Sequence, residues 1–143
     1  MTEYPQHFFE DLSEGMSASL SKEITRDQVA VFANVTGDTN PLHLDEDYAA
    51  GTLFKGCIAH GMFSAGLISA VFGTTFPGPG CIYVSQELRF KAPVRIGDTL
   101  TATVTVLEKI DKGRRVRFDT TCTVGDTVVV DGEAVLVVPG RPA

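Results

Sequence analysis

The chain has 143 residues, 43% of them apolar, and a formal net charge of −6. A length of this order suits one domain, here residues 1–143, with a core of its own, and the composition excludes gross disorder. The acidic balance, in which Arg114-Arg115-Val116-Arg117 is the densest basic cluster, argues against a nucleic-acid partner.

Residues 1–15 lack the basic and apolar runs of a secretory signal. They place Phe8, Phe9 and Leu12 among acids, as a lead-in whose aromatics pack on the domain. From Met16 to Ile24 apolar and polar residues roughly alternate, which predicts a first strand. Thr25-Arg26-Asp27-Gln28 has the form of a capping box, so a helix begins there; Val29, Phe32 and Ala33 give it one apolar face and Gly37 ends it. In the segment Gly37-Asp38-Thr39-Asn40-Pro41-Leu42-His43-Leu44-Asp45, Pro41 has no N–H and biases Asn40 towards extended geometry. The expectation is a stiff irregular loop, with no helix through it, that aims the Asp38 carboxylate and the His43 imidazole at one point. Such a pair suits acid–base chemistry on a small substrate. A turn residue at 38 and a satisfied buried imidazole at 43 are the plainer readings of the same side chains.

Asp45 to Ala50 reads as a short acidic helix ended by Gly51. His60 to Gly73 is apolar nearly all round, which marks a long buried central helix. Gly66 inside it costs about 1 kcal/mol against alanine, so either a strand or a ligand is expected to approach closely there. Thr74 to Gly80 is a loop. The remainder is strand. Ile82 to Ala92 puts Ile82, Val84, Leu88, Phe90 and Ala92 on one face, and Tyr83, Ser85, Glu87, Arg89 and Lys91 on the other. Thr99 to Val106 and Arg115 to Val124 alternate in the same way, and Val128 to Val138 is apolar enough to be covered on both sides. Cys57, Cys81 and Cys122 show no CxxC spacing, which speaks against a disulfide framework and a zinc knuckle. No apolar run is long enough to span a bilayer, so a cytoplasmic protein with no membrane partner is expected. One-faced strands need a cover, and the long helix is the obvious one. The fold class is therefore α+β, an antiparallel sheet wrapped around a buried central helix. Such a sheet leaves an edge strand and an apolar flank open, so at least a homodimer is expected.

Thr36-Gly37-Asp38-Thr39-Asn40-Pro41-Leu42-His43-Leu44-Asp45 resembles the (S/T)-G-D-x-N-P-(L/I/V)-H-x-(D/E) signature of the MaoC-like, (R)-specific enoyl-CoA hydratases. His60-Gly61-Met62, the lead-in from Phe9 to Met16 and the stretch from Phe90 to Asp98 are similar to the same family, so the likeness covers nearly the whole chain. It implies the hot-dog fold and an acyl-CoA substrate, with water added across a trans-2-enoyl thioester. It further implies that Asp38 and His43 are the catalytic pair, that Asn40 holds the loop and its water, and that the Gly61 N–H donates to the thioester oxygen. The position near the substrate where some relatives carry a serine is Gly66 here; Ser64 is nearby without matching it, and reads either as a helix hydroxyl bonding back to the preceding turn or as a substrate contact.

The chemistry needs a base for the water, an acid for C2 and a donor for the thioester oxygen. Near neutrality a free aspartate is a carboxylate and a free histidine mostly neutral, and which of the pair is base and which acid stays open. A helix N-terminus offers free N–H groups for the oxygen. No metal or redox cofactor is needed; Asp38, His43 and His60 lack a known ligand spacing, and His60 reads as structural, bonding loop backbone. Two other readings stand beside this one: a hot-dog acyl-CoA thioesterase, which attacks the carbonyl carbon, and a non-catalytic acyl-CoA-binding or dimerisation module.

Overall fold

The computed structural model describes residues 3–143, so Met1 and Thr2 of the expected lead-in lie outside the described residues. Its centre is an antiparallel sheet of β1 (Ser17–Glu23), β2 (Ile82–Gln86), β3 (Arg89–Phe90), β4 (Thr99–Ile110), β5 (Arg115–Val124) and β6 (Thr127–Val137). The strands lie in the order β1-β4-β5-β6-β2, with β3 also paired to β6. Helices α1 (Arg26–Thr36), α2 (Pro41–Leu44), α3 (Glu46–Ala50) and α4 (Gly61–Thr74) come between β1 and β2. The α+β class and the sheet-on-helix plan are as expected.

Register explains why one face of the sheet is dry. Leu20, Ala102, Cys122, Val130 and Phe90 stand opposite one another across five strands, and period-2 alternation repeats such rows along the sheet. Onto these rows α4 lays Ile68, Val71 and Phe72, which are fully buried with Val104, Val106, Val116, Phe118 and Leu136. Each such side chain contributes about 1.5–3 kcal/mol. Phe72 and Phe118 meet edge to face at 4.8 Å. On the outer face of β1, Ser17, Ser19 and Ser21 pair their hydroxyls with Thr105, Thr103 and Thr101 at 3.2, 2.9 and 2.8 Å. The lead-in packs as expected: Phe9 and Leu12 are buried, and the Phe9 N–H donates to the Pro139 oxygen.

Three expectations are corrected. The strand expected from Ile82 to Ala92 is two strands, because the Glu87–Leu88 backbone crosses over Gly132, where a Cβ would lie 1.8 Å from the Glu87 oxygen. A register shift between Tyr83 and Ser85 also reverses the faces on β2. Tyr83 and Gln86 pair with the inward Leu136 and Ala134, while Ile82 is exposed. The Tyr83 hydroxyl then donates to Gln86 Oε1 at 2.5 Å and Gln86 Nε2 to the buried Thr120 Oγ1 at 2.9 Å, a polar patch inside the apolar face. Second, α4 is buried on one side only: Met62, Gly66, Ser69 and Gly73 are exposed, since no other element of the described chain covers that flank. Third, β6 is buried on its inner face, whereas Val128 and Glu133 on the outer side are exposed.

Candidate active site

Local sequence sets the position of each group. Thr25 and Gln28 exchange the two bonds of a capping box, each 3.2 Å, and start α1. At the other end Gly37 adopts φ +80°, a conformation open to glycine, and its N–H closes the helix on Ala33. The expected irregular loop is corrected here. Asn40 Oδ1 accepts the Leu42 N–H at 3.0 Å, and Pro41 takes the first helical position, where its missing N–H is no loss. His43 therefore sits in the single turn α2, and Asp38 on the short link before it. The Asn40 N–H donates to Asp38 Oδ1 at 3.3 Å, which ties the carboxylate to the same turn.

His43 is only 9% exposed, and its Nδ1 lies 2.7 Å from the Ile58 oxygen. A carbonyl can only accept, so Nδ1 carries the proton and Nε2 keeps a lone pair. By the same logic His60, 2% exposed, donates from Nε2 to the main-chain oxygen of Asp38 at 2.9 Å. The two imidazoles stack, with centroids 3.9 Å apart and planes 28° from parallel, and Phe32 packs on His60 at 4.7 Å. Ligand-type atoms of Asp38, His43 and His60 all lie within 4.8 Å of one another. Each ring spends one nitrogen on a main-chain carbonyl, which fixes its orientation at the site and leaves the other nitrogen free.

Two cavities flank the start of α4. Asp38 and Gly66 share an open depression of about 470 Å³ with Phe32, Thr36, Met62 and Ala65. Gly61 and Ser64 line a second, of about 350 Å³, with His60, Phe90, Val94 and Val130 among its walls. The structure thus brings Asp38 and His43 within 4.8 Å of each other and ties Asn40 to Asp38, but Asp38 and Gly66 line one depression, Gly61 and Ser64 line the other, and neither lining includes Asn40 or His43. As the first residue of α4, Gly61 has no acceptor for its N–H within the helix. A Cβ there would come within 2.7 Å of the Phe90 ring. Gly66 is the reverse case. No protein atom lies within 4 Å of where its Cβ would be, so no strand approaches there, and the glycine widens the depression beside Asp38 that a ligand could enter. Phe32 and Phe90 were missed as wall residues, although both stand on apolar faces that the pattern had identified.

The antiparallel sheet packed on the long helix α4 defines a hot-dog protein, the fold of the solved R-hydratases it superposes on. The chain belongs to the MaoC-like family, whose model, described as a MaoC like domain, matches residues 9–128. It is 59% identical over 135 residues, 94% of either chain, to an (R)-specific enoyl-CoA hydratase of Rhodospirillum rubrum. It is 55% identical to a 3-hydroxybutyryl-CoA dehydratase of Methylorubrum extorquens, over 94% of this chain and 85% of the relative. Among solved structures, the unliganded R-hydratase PhaJ1 from Pseudomonas aeruginosa superposes with a TM-score of 0.89 at 46% identity, covering 94% of this chain and 86% of that one.

Proposed function

We propose that this protein is an (R)-specific enoyl-CoA hydratase, a hydro-lyase that adds water to trans-2-enoyl-CoA to give (3R)-3-hydroxyacyl-CoA and runs the dehydration in reverse. One observation supports the reading: a carboxylate oxygen of Asp38 and a ring nitrogen of His43 lie within 4.8 Å of each other and of His60, the residue directly before the first amide of α4. Both groups accept protons, so a water held between them can give one up as its oxygen bonds to C3. The proton held by the pair is then delivered to C2, and the electrons of the C2–C3 π bond make the new C2–H bond. Negative charge passes through the thioester oxygen on the way, and the Gly61 N–H is the donor for it. One preorganised donor of this kind contributes about 3 kcal/mol to a barrier. Asn40 keeps its place by capping α2, while Gly66 and Ser64 give the acyl group room on either side of the helix.

In this reading the enzyme needs no metal or cofactor, acts as one domain over residues 1–143, and works in the cytoplasm. Among the described residues no helix is long and apolar enough to cross a membrane. The working form is a homodimer or a higher homo-oligomer. Support comes from the bare flank of α4, next to the free edge of β2 with its exposed Ile82 and Val84. Incubation with crotonyl-CoA tests the activity. Loss of the conjugated enoyl absorbance without free thiol, together with an R-configured product, is the expected result. Thiol release means a thioesterase, and no change over a range of chain lengths means a binding module; either outcome removes the hydratase reading.

A further inference from the structure

His60 is the N-cap residue of α4, a place where a side-chain acceptor ordinarily takes a helix N–H. Its ring makes no such bond. Nε2–H reaches across to the main-chain oxygen of Asp38, and Nδ1 is buried with no hydrogen-bond partner among the described residues. A residue kept for the helix alone would turn a polar atom to the helix, and a buried acceptor left bare calls for another explanation. That explanation lies on the faces of the ring, one against His43 and another contact with Phe32.

We propose that His60 is a positioning residue for the reaction. Its Nε2–H fixes the backbone that carries the Asp38 carboxylate, and its face fixes the plane in which His43 presents Nε2. Because Gly61 follows directly in the chain, the same residue joins both catalytic groups to the amide that meets the thioester oxygen. The inference rests on the hydratase reading above. His60 itself touches no reacting atom and moves no proton.

Two variants separate holding the site from holding the fold. In H60N the amide is too short to reach the Asp38 oxygen, yet asparagine is a good N-cap, so the helix is served and the site is not. In H60Q the amide nitrogen sits about where Nε2 was and renews the bond. H60N and H60Q, which both lose the buried ring, are expected to fold with similar Tm values below wild type, while kcat of H60N on crotonyl-CoA falls about 100-fold, the scale of a small misplacement. KM should stay within about threefold, as when an interaction specific to the transition state is lost. H60Q should recover at least tenfold of that loss, roughly half of it on a logarithmic scale. A folded H60N with wild-type kcat, or an H60Q no better than H60N, overturns the proposal. Imidazole NMR supplies a readout independent of turnover: with the stacked ring gone the His43 ring signals should move in both H60N and H60Q, while only H60Q, which renews the bond to the Asp38 oxygen, regains part of kcat. A His43 spectrum indifferent to H60N overturns the positioning role, whereas a wild type inactive on every enoyl-CoA counts against the hydratase reading alone.

Discussion

Replacing Gly61 by alanine tests the geometry most sharply. The new Cβ would meet Phe90 Cε1 at 2.7 Å and Cδ1 at 2.8 Å, where ordinary contact begins at 3.4 Å. The two must part by the difference, about 0.7 Å. If the ring alone yields, the cost is the low end of overpacking, about 1 kcal/mol, because Phe90 is 55% exposed and can swing outward. If the start of α4 retreats instead, the amide aimed at the thioester oxygen goes with it. Phe90 is held by its β3 backbone against Val130, so part of the strain reaches the helix. The expected result is a modest loss in Tm and a fall in kcat of about 100-fold, which is about 2.7 kcal/mol of barrier. The decisive assay is a double-mutant cycle on crotonyl-CoA turnover. With Phe90 shortened to alanine the obstruction is gone, and Gly61→Ala should then change kcat by less than about threefold. Equal losses in both backgrounds would refute the claim that the ring is what keeps position 61 bare.

Other predictions follow from the same geometry. Asp38→Asn and His43→Gln should each lower kcat by about 10²–10⁴-fold with circular dichroism and Tm close to wild type, and retained turnover in either variant would remove it from the pair. Asn40→Ala takes away the cap of α2 and should cost about 1 kcal/mol of stability, read from denaturant midpoints, together with a fall in kcat as Asp38 and His43 lose their common turn. The Arg26 guanidinium beside Glu46, 3.0 Å away, holds that carboxyl below its usual 4.5. The pair's contribution is therefore present above pH 4.5 and fades as pH falls through the lowered value. Arg26→Ala should lower Tm more at pH 7 than at pH 3, and an equal drop at both would contradict the linkage. Burial pushes the Cys122 thiol up to about 12, so it should resist alkylation in the native protein at pH 8 and react once the chain is unfolded.

Local rules wrote much of this fold legibly. The capping box at Thr25, the stop at Gly37 and the period-2 strands from Thr99 to Val137 form where the residue pattern places them. What escaped the pattern has identifiable causes. Proline was read as a breaker at position 41, yet the residue before it is a capping asparagine, and that combination opens a helical turn. One unpaired residue near Val84 exchanges the faces of β2, and a bulge leaves no mark on hydrophobic periodicity because both faces of that strand carry large side chains. The burial of α4 was overread since an apolar surface has the same composition whether or not this chain covers it. At the site, the Asp38–His43 proximity was legible from a spacing of five residues held by a proline. The stack of His43 on His60 was not, because it depends on where a loop of some fifteen residues returns, at the Ile58 carbonyl.

In the proposed reading the reacting groups are Asp38, His43 and the Gly61 amide, all before the chain enters β2, and the long hairpins β4–β5–β6 serve as their support. Residues 25–66 meet the later strands through the Ala59 N–H on the Val94 oxygen, Ile58 bridged to Arg95, the Arg95 guanidinium on the Phe54 oxygen, Phe90 over Gly61 and the Cys122 thiol on the Ser64 oxygen, beside the apolar packing of α4 on the sheet. The molecule is in that sense a cassette on a plinth. A chimera that imports residues 25–66 from a relative should import its substrate preference too, provided the stretch from Phe90 to Arg95 travels along as the matching socket.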